Sequence, residues 1–222
     1  MKSQVAFILC GSFNPITKAH LNLLKWAKNF VESFKTPEYE VIKGIITPTN
    51  DLYSVKRSNL IKSHHRIEMV KLALNEENLN WIECSSWEAD QREWQRTVFV
   101  LAHHQSRLSN QLSSQVHLWL VSGGDLIESI AVPNLWKDED VEQIFTKHKV
   151  LIFPRAGSNP MKFVDDHPIL CQHKQNIIFA DGYSPNDDSS TKARESLAKG
   201  ETTNLLHQSV LQYIGENNLY TK

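Results

Sequence analysis

One short run of the sequence combines residue types that can bind and activate a phosphate group. Five apolar residues, long enough for a buried strand, precede the run Cys10-Gly11-Ser12-Phe13-Asn14-Pro15-Ile16-Thr17-Lys18-Ala19-His20. Gly11 permits a sharp turn and a close approach of the backbone to a ligand. The run then opens an amphipathic helix, whose N-terminal amides form an anion site, and His20 falls in its first turn. This pattern predicts phosphate chemistry at the turn.

Two widespread phosphate-binding motifs are absent from the chain. It contains neither GxxxxGK[ST] nor GxGxxG. A glycine turn followed by a histidine is compatible with a purely structural role as well, so this signal needs support from the rest of the chain.

A second anion-binding segment is predicted at Ser190-Thr191-Lys192-Ala193-Arg194. Residues 187–191 are of types that cap helices, so this segment opens a helix. Cations near a helix N-terminus oppose the helix dipole, and two of them here favour an anion bound between them. A solvated basic helix face is the alternative interpretation.

Length and charge limit the kind of protein. The 222 residues suffice for one domain, 1–222, with a sizeable core. The 24 basic and 25 acidic residues give a net charge of −1, which argues against a nucleic-acid or membrane-surface binder. Three separated cysteines, no signal peptide and no membrane-spanning apolar run predict an intracellular protein with reduced thiols. The cytoplasm is the default compartment, with nucleus and mitochondrion left open.

Hydrophobic periodicity predicts that strands and helices alternate. The expected strands are 5–9, 39–47, 81–84, 116–121, 150–153 and 177–180. The expected helices are 17–34, 63–75 with Ser63 as cap, 91–108, 126–130, 138–147, a helical or irregular piece from 159–160, a helix ending near 199, and 209–216. This alternation predicts a doubly wound, parallel α/β sheet whose ligand lies beyond the carboxyl ends of the strands.

The segments that follow the strands resemble the HxGH nucleotidyltransferase superfamily, and within it the eukaryotic nicotinamide/nicotinate mononucleotide adenylyltransferases. In that branch threonine replaces the first motif histidine, and Thr17 stands there. Six further matches follow in order: Trp87-Glu88, Glu93-Trp94 to His103-His104, Gly123-x-Asp125, Ala131 to Lys137, Arg155-Ala156-Gly157 and Ser189 to Arg194. The resemblance implies a Rossmann-like fold and an enzyme that makes NAD and pyrophosphate from the mononucleotide and ATP.

The resemblance also implies which residues bind ATP. His20 is expected to donate a hydrogen bond to the α-phosphate in the transition state, and Thr17 to offer a hydroxyl group. Three catalytic residues are expected: His20, Arg194 and Lys56. The further expected ATP ligands are the backbone amides of Gly11, Ser12 and Phe13 and the side chains of Ser190, Thr191 and Lys192. Whether Lys56 or the neighbouring Arg57 reaches the phosphates is left open.

For the mononucleotide the resemblance implies a second set of residues. It comprises Trp87, Glu88, Gly123, Asp125, Leu135, Trp136, Arg155 and Asn186. The nicotinamide ring of this substrate is a cationic pyridinium, so the indoles of Trp87 and Trp136 are expected to attract it by stacking and cation–π contact. Trp26, Trp81, Trp94 and Trp119 lack such a match and are expected to be core or packing residues.

Protein metal ligands are not expected. The pairs His64-His65 and His103-His104 lack a partner at helical i, i+4 spacing. Mg²⁺ is expected as a cofactor carried by ATP phosphates and water. The oligomeric state and the preference between nicotinamide and nicotinate substrates are left open.

Two departures from the family pattern are visible, and two other functions compete. Ala89-Asp90 stands where relatives commonly have serine and an apolar residue, and Glu195 where some have a second arginine. One competing function is a sister HxGH transferase for another phosphorylated acceptor, such as phosphopantetheine. The other is a non-catalytic, chaperone-like nucleotide-binding protein, against which the intact His20 and Arg194 argue.

Overall fold

A computed structural model describes residues 2–56, 59–112, 115–132, 135–154, 159–183 and 189–221. Its strands are β1 (Ser3–Gly11), β2 (Tyr39–Pro48), β3 (Ile82–Cys84), β4 (Val116–Gly123), β5 (Val150–Phe153) and β6 (Ile177–Phe179). Its α-helices are α1 (Lys18–Glu32), α2 (Ser63–Glu76), α3 (Thr97–Gln111), α4 (Gly124–Ile130), α5 (Asp138–Lys147), α6 (Pro160–Asp166), α7 (Ser190–Ala198) and α8 (Gln208–Glu216). Two 3₁₀ helices span Asp51–Lys56 and Leu170–Asn176.

The six strands form one sheet in the order β3-β2-β1-β4-β5-β6. The pairs β2–β3, β1–β4, β4–β5 and β5–β6 are parallel. This order is that of the doubly wound dinucleotide-binding fold, so the predicted Rossmann-like α/β class is confirmed. Strands β1 and β4 consist mainly of apolar residues because parallel strands covered by helices are buried on both faces.

The chain divides into two compact units. Unit 1 comprises Met1–Leu9, Leu24–Lys43 and Arg96–Asn186, and unit 2 comprises Cys10–Leu23, Gly44–Gln95 and Asp187–Lys222. Strands β4, β5 and β6 lie in unit 1, whereas β3 lies in unit 2 and pairs there with Gly44, Ile45 and Ile46 of β2.

The core of unit 1 is built on aromatic side chains. Trp119 of β4 is fully buried, and its ring lies 6.3 Å from that of Phe7 and 5.0 Å from that of Tyr39. A second cluster joins Trp26 to Phe153, with ring centroids 5.4 Å apart. Trp119 therefore confirms the prediction of a core tryptophan.

Two predicted helix boundaries are wrong. The helix expected over 91–108 begins only at Thr97, and residues 91–96 form bends and irregular backbone. Trp94 in that stretch is 36% exposed and stacks on Tyr53, so it is not a core residue. The helix expected from 126 begins at Gly124, because Gly123 already has the extended backbone of an N-cap.

The predicted helix cap at Ser63 is also wrong. Lys62 occupies the N-cap position, and Ser63 is the first helical residue. The amide of Ser63 donates instead to Oδ1 of Asp51, at 2.6 Å. The 3₁₀ helix Asp51–Lys56 therefore supplies, through its first residue, the acceptor that a cap would provide.

Candidate active site

The predicted phosphate turn begins at the end of β1. Gly11 is still a strand residue, and a Cβ atom there would lie 3.1 Å from Cζ of the Phe13 ring. The left-handed residue of the turn is Phe13, with φ of 46°. The prediction that Gly11 makes the sharp turn is therefore corrected: Gly11 gives room to the Phe13 ring, and Phe13 carries the turn.

Helix α1 begins with a reciprocal contact between Thr17 and His20. The amide of His20 donates to the carbonyl oxygen of Thr17 at 3.1 Å, and the amide of Thr17 donates to Nδ1 of His20 at 3.0 Å. Oγ1 of Thr17, a fully buried residue, lies 2.7 Å from the same Nδ1. The contact from the Thr17 amide to Nδ1 corresponds to one half of a capping box, with histidine in the place of the usual glutamate at the third helical position.

This contact decides which nitrogen of the imidazole is a donor. Because Nδ1 of His20 accepts from the backbone, the proton of the neutral ring resides on Nε2. The ring is half-buried and packs edge-on to Phe13, with centroids 5.2 Å apart. His20 is thereby prepared to donate one hydrogen bond through Nε2.

The second predicted segment lies against the same turn. Oγ of Ser190 donates to the carbonyl oxygen of Pro15 at 2.8 Å, and Nη1 of Arg194 donates to that of Asn14 at 2.6 Å. Ser189 caps α7 by accepting from the amide of Lys192. The structure therefore brings Ser190 and Arg194 to the motif turn as predicted.

Two further polar side chains in the first turn of α7 are open to solvent. Thr191 and Lys192 are exposed in its first turn, and Oγ1 of Thr191 accepts from Nη2 of Arg194 at 3.2 Å. An anion could approach these two side chains without displacing core residues.

No sequence pattern indicated Arg66, whose guanidinium binds the carbonyl oxygen of Ser12 in the motif turn. This guanidinium is fully buried in α2 and donates to four acceptors. They are the carbonyl oxygens of Ile61 (2.9 Å), Ser12 (2.9 Å) and Thr49 (2.7 Å), and Oδ1 of Asp51 (3.0 Å). No spacing rule marks a buried arginine beside two histidines, so only the fold reveals that Arg66 fixes the carbonyl of Ser12.

Trp87 and Glu88 lie in a tight turn after β3. Nδ2 of Asn50 stabilises this turn by donating to the carbonyl oxygens of Ala89 at 3.0 Å and Gln91 at 2.6 Å. Trp87 is half-buried, whereas Glu88 is buried and accepts from Oγ1 of Thr47 at 3.2 Å.

The buried carboxyl of Glu88 has an unusual acidity. Burial raises its pKa to about 7, although hydrogen bonds from Thr49 and Thr47 and the charge of Arg66 act in the opposite direction. Glu88 is therefore partly protonated near neutral pH, which the sequence could not indicate.

In unit 1, α4 follows β4 and positions two predicted residues. Asp125 is exposed in the first turn of α4, where a carboxylate is favoured by the helix dipole. Nε1 of the half-buried Trp136 donates to Oγ of Ser129 at 2.9 Å, which fixes the plane of the indole. Leu135 precedes it and is half-buried, and Gly123 is the N-cap of α4.

Several predicted residues lie outside the part of the chain that the structure describes. They are Arg57, Arg155 and Asn186, together with the side chain of Lys56, whose backbone ends the first 3₁₀ helix. Their predicted roles stay predictions.

The described ranges contain neither a metal-ligand cluster nor a membrane-spanning helix. Within them, no group of three or more His, Cys, Asp or Glu side chains is placed to hold a metal ion. No helix in those ranges has both the length and the apolarity needed to cross a bilayer.

The strand order and the motif turn define a nucleotide-binding α/β protein of the nucleotidyltransferase type. The sequence matches the cytidylyltransferase-like family over residues 8–196. It is 38% identical to the nicotinamide-nucleotide adenylyltransferase of Drosophila melanogaster, covering 98% of this chain and 61% of that protein.

Two further relatives match over most of their own length. The nicotinamide/nicotinic acid mononucleotide adenylyltransferase 1 of Bos taurus is 36% identical, with 99% of this chain and 90% of the relative covered. Protein 2 of the same name from Caenorhabditis elegans is 35% identical, with 99% of both covered. The chain therefore belongs to the cytidylyltransferase-like family and, within it, to the nicotinamide/nicotinic acid mononucleotide adenylyltransferases.

Solved structures agree on the fold. The Plasmodium falciparum nicotinic acid mononucleotide adenylyltransferase complexed with APC superposes with a TM-score of 0.70 at 21% identity, covering 97% of this chain and 96% of that one. The same enzyme complexed with NaAD gives 0.70 at 22% identity, covering 98% and 97%. At this identity the likeness supports the Rossmann-like fold.

Proposed function

We propose that this protein is an adenylyltransferase that forms NAD and pyrophosphate from ATP and nicotinamide mononucleotide, and that it also accepts the nicotinate analogue. The observation that carries the proposal is the Thr17–His20 pair, which presents Nε2–H of an oriented imidazole at the helix that follows the motif turn. In the reaction an oxygen of the mononucleotide phosphate attacks the α-phosphorus of ATP, the bond from that phosphorus to the bridging oxygen breaks, and pyrophosphate leaves.

Direct transfer of this kind requires positioning and charge stabilisation rather than a covalent intermediate. Negative charge on the α-phosphate oxygens shifts in the transition state, and Nε2–H of His20 is placed to donate to one of them. The amide of Thr17 keeps Nδ1 as an acceptor, so the donor function of Nε2 is maintained with the ring neutral.

The triphosphate is proposed to bind at the start of α7. Arg194 is anchored to Asn14 by one nitrogen and to Thr191 by another. The exposed Lys192 and Thr191 are proposed to bind oxygens of the leaving pyrophosphate. A bound anion there relieves the unfavourable placement of two cations near a helix N-terminus, and Lys56 is proposed as a further cation for the same phosphates.

The mononucleotide is proposed to use the second set of residues. Trp87 and Trp136 provide indole faces for the pyridinium ring, and the structure holds each in a defined place, Trp87 by its turn and Trp136 by Ser129. Asp125 is proposed for the ribose hydroxyls. Gly123, Leu135, Arg155 and Asn186 are proposed to make the contacts that the family resemblance implies.

Three finer points belong to the same proposal. ATP is proposed to enter as its magnesium complex, with the ion held by phosphates and water. Residues 1–222 are proposed to form one nucleotidyltransferase domain, since the family match runs through segments of both units. An intracellular location is proposed because Cys10, Cys84 and Cys171 are all free thiols, with the cytoplasm as the default compartment.

A coupled assay for NAD tests the proposed activity. Purified protein is supplied with ATP, Mg²⁺ and nicotinamide mononucleotide, and NAD is measured with an alcohol dehydrogenase. Parallel reactions contain nicotinate mononucleotide or phosphopantetheine as acceptor, and pyrophosphate release measures turnover in all of them. NAD formation with pyrophosphate release is the expected result. Turnover with phosphopantetheine alone would indicate a sister transferase, and no turnover with any acceptor would indicate a non-catalytic binding protein.

A further inference from the structure

Tyr220 reaches the motif turn from the far end of the sequence. After α8 ends at Glu216, residues 217–220 turn back, and the hydroxyl of Tyr220 donates to Oδ1 of Asn14 at 2.7 Å. Asn218 and Tyr220 have positive φ values, 49° and 60°. A tyrosine rarely adopts this left-handed conformation, so specific contacts must hold the segment in place.

Asn14 connects the Tyr220 hydroxyl to the proposed triphosphate site. This asparagine is buried, its Nδ2 donates to the carbonyl oxygen of Asn59 at 2.8 Å, and its Oδ1 also accepts from the amide of Ile61 at 3.4 Å. Its own carbonyl oxygen accepts from Arg194 at 2.6 Å. The side chain and the backbone of Asn14 are therefore fixed by different partners, and Tyr220 makes the shortest of the side-chain contacts.

The electrostatic surroundings of Tyr220 support this arrangement. Burial raises the pKa of its hydroxyl, while the positive charges of Arg194 and Arg66 act to lower it. Both guanidinium groups thus lie close enough to influence the hydroxyl. Because the net shift is upward, the hydroxyl keeps its proton and remains a donor to Asn14.

We propose that Tyr220 is a positioning residue for ATP: its hydroxyl fixes Asn14, whose carbonyl oxygen in turn orients the guanidinium of Arg194 toward the triphosphate. The inference rests on the proposed function, since it assigns Arg194 to the phosphates. It gives the segment after α8 a role in substrate binding in addition to its role in folding.

The test is Tyr220→Phe, which keeps the ring and its packing and removes the hydroxyl. The matched control is Tyr213→Phe in α8, whose hydroxyl contacts Nδ1 of His65 at 2.9 Å. We expect Tyr220→Phe to raise KM for ATP ~3- to 10-fold, the usual effect of one neutral hydrogen bond, with KM for the mononucleotide unchanged. Tyr213→Phe should leave both values unchanged. Thermal unfolding checks that both variants fold.

A double-mutant cycle separates positioning from general support. In an Arg194→Ala background, Tyr220→Phe should produce no further change in KM for ATP, because the group that it orients is gone. An equal rise in both backgrounds would overturn the inference, as would an unchanged KM in the single variant.

Direct binding distinguishes failure of this inference from failure of the proposed function. Calorimetry with α,β-methylene ATP gives a dissociation constant without turnover, and Tyr220→Phe should raise it by the same ~3- to 10-fold. If the wild-type protein makes no NAD but the variant binds this analogue more weakly, the proposed function fails and the positioning role stands. Equal affinities of the wild type and the variant would contradict the positioning role.

Discussion

The two compact units bury different kinds of side chain. Trp119 is the largest fully buried side chain in unit 1, and Arg66 is the largest in unit 2. Among the described residues, eight of the twelve buried polar side chains lie in unit 2, including Asn14, Thr17 and Glu88. Unit 1 is thus stabilised chiefly by apolar burial, and unit 2 also by hydrogen bonds to buried polar groups.

Apolar burial and buried hydrogen bonds affect different properties: the first affects stability, and the second also fixes the positions of backbone groups in the motif turn. Apolar packing tolerates volume-conserving changes because it has no direction, whereas a buried donor without its acceptor costs the full desolvation of the group. In unit 2, the buried Arg66 binds the carbonyl oxygen of Ser12 and the half-buried Arg194 binds that of Asn14. We therefore expect substitutions in unit 1 to change stability first, and polar substitutions in unit 2 to change catalysis as well.

Replacing Trp119 tests whether apolar packing stabilises unit 1, and it has the largest expected effect on the free energy of unfolding. Trp119→Ala removes the contacts to Phe7 and Tyr39 and should lower the free energy of unfolding by about 3–5 kcal/mol, measured by urea denaturation. Phe99→Ala, at a position 46% exposed on α3, is the control and should change it by less than about 0.5 kcal/mol. Similar losses for both variants would show that unit 1 does not depend on its aromatic core.

Arg66→Met tests the polar network of unit 2. The methionine is of similar length but leaves three carbonyl oxygens and Asp51 without their donor, so we expect a loss of about 3 kcal/mol in unfolding free energy. The folded fraction should also show a lower kcat, because the carbonyl of Ser12 is released from its place in the motif turn. A stable variant with wild-type kcat would mean that the network supplies neither stability nor geometry. Arg66→Lys, which retains the charge, should have an unfolding free energy and a kcat between those of the wild type and those of Arg66→Met.

The Glu88 carboxyl predicts a pH dependence of stability. Its pKa rises from 4.5 to about 7 on folding, so between these values the folded protein holds a proton that the unfolded chain releases. The contribution of Glu88 to the free energy of unfolding should therefore fall by about 3 kcal/mol as the pH rises through this window and then level off above it. Urea denaturation from pH 4.5 to 8 measures this slope.

Glu88→Gln should flatten that slope because the amide does not titrate. The exposed Glu93→Gln is the matched control and should keep the wild-type slope. An unchanged slope in Glu88→Gln would assign the pH dependence to other groups.

Much of the fold could be predicted from the sequence because it depends on local patterns. Helix α5 and strand β5 have the predicted bounds, Asp138–Lys147 and Val150–Phe153, since their apolar periodicity and flanking residues agree. The early part of the predicted 91–108 helix failed because Trp94 has helical spacing relative to Val98 yet stacks on Tyr53 outside any helix. Tertiary contact overrode the periodic pattern there.

The residues of the candidate site also fall into those that the sequence indicates and those that only the fold reveals. His20, Thr17 and Arg194 could be found because their motif is contiguous or recurs at fixed spacing. Arg66 and Tyr220 could not, because their importance comes from contacts with backbone and amide groups 54 and 206 residues away. Such pairs carry no local signal in a single sequence.

The central claim is that Nε2–H of His20, held in place by Thr17, stabilises charge on the α-phosphate. The direct measurement is the kcat of His20→Ala for NAD formation, compared with that of His64→Ala, an exposed histidine on α2. We predict a decrease of ~10²-fold or more for His20→Ala in a protein that still folds, from the loss of a transition-state donor, and wild-type turnover for His64→Ala. A folded His20→Ala protein with wild-type kcat would contradict the account.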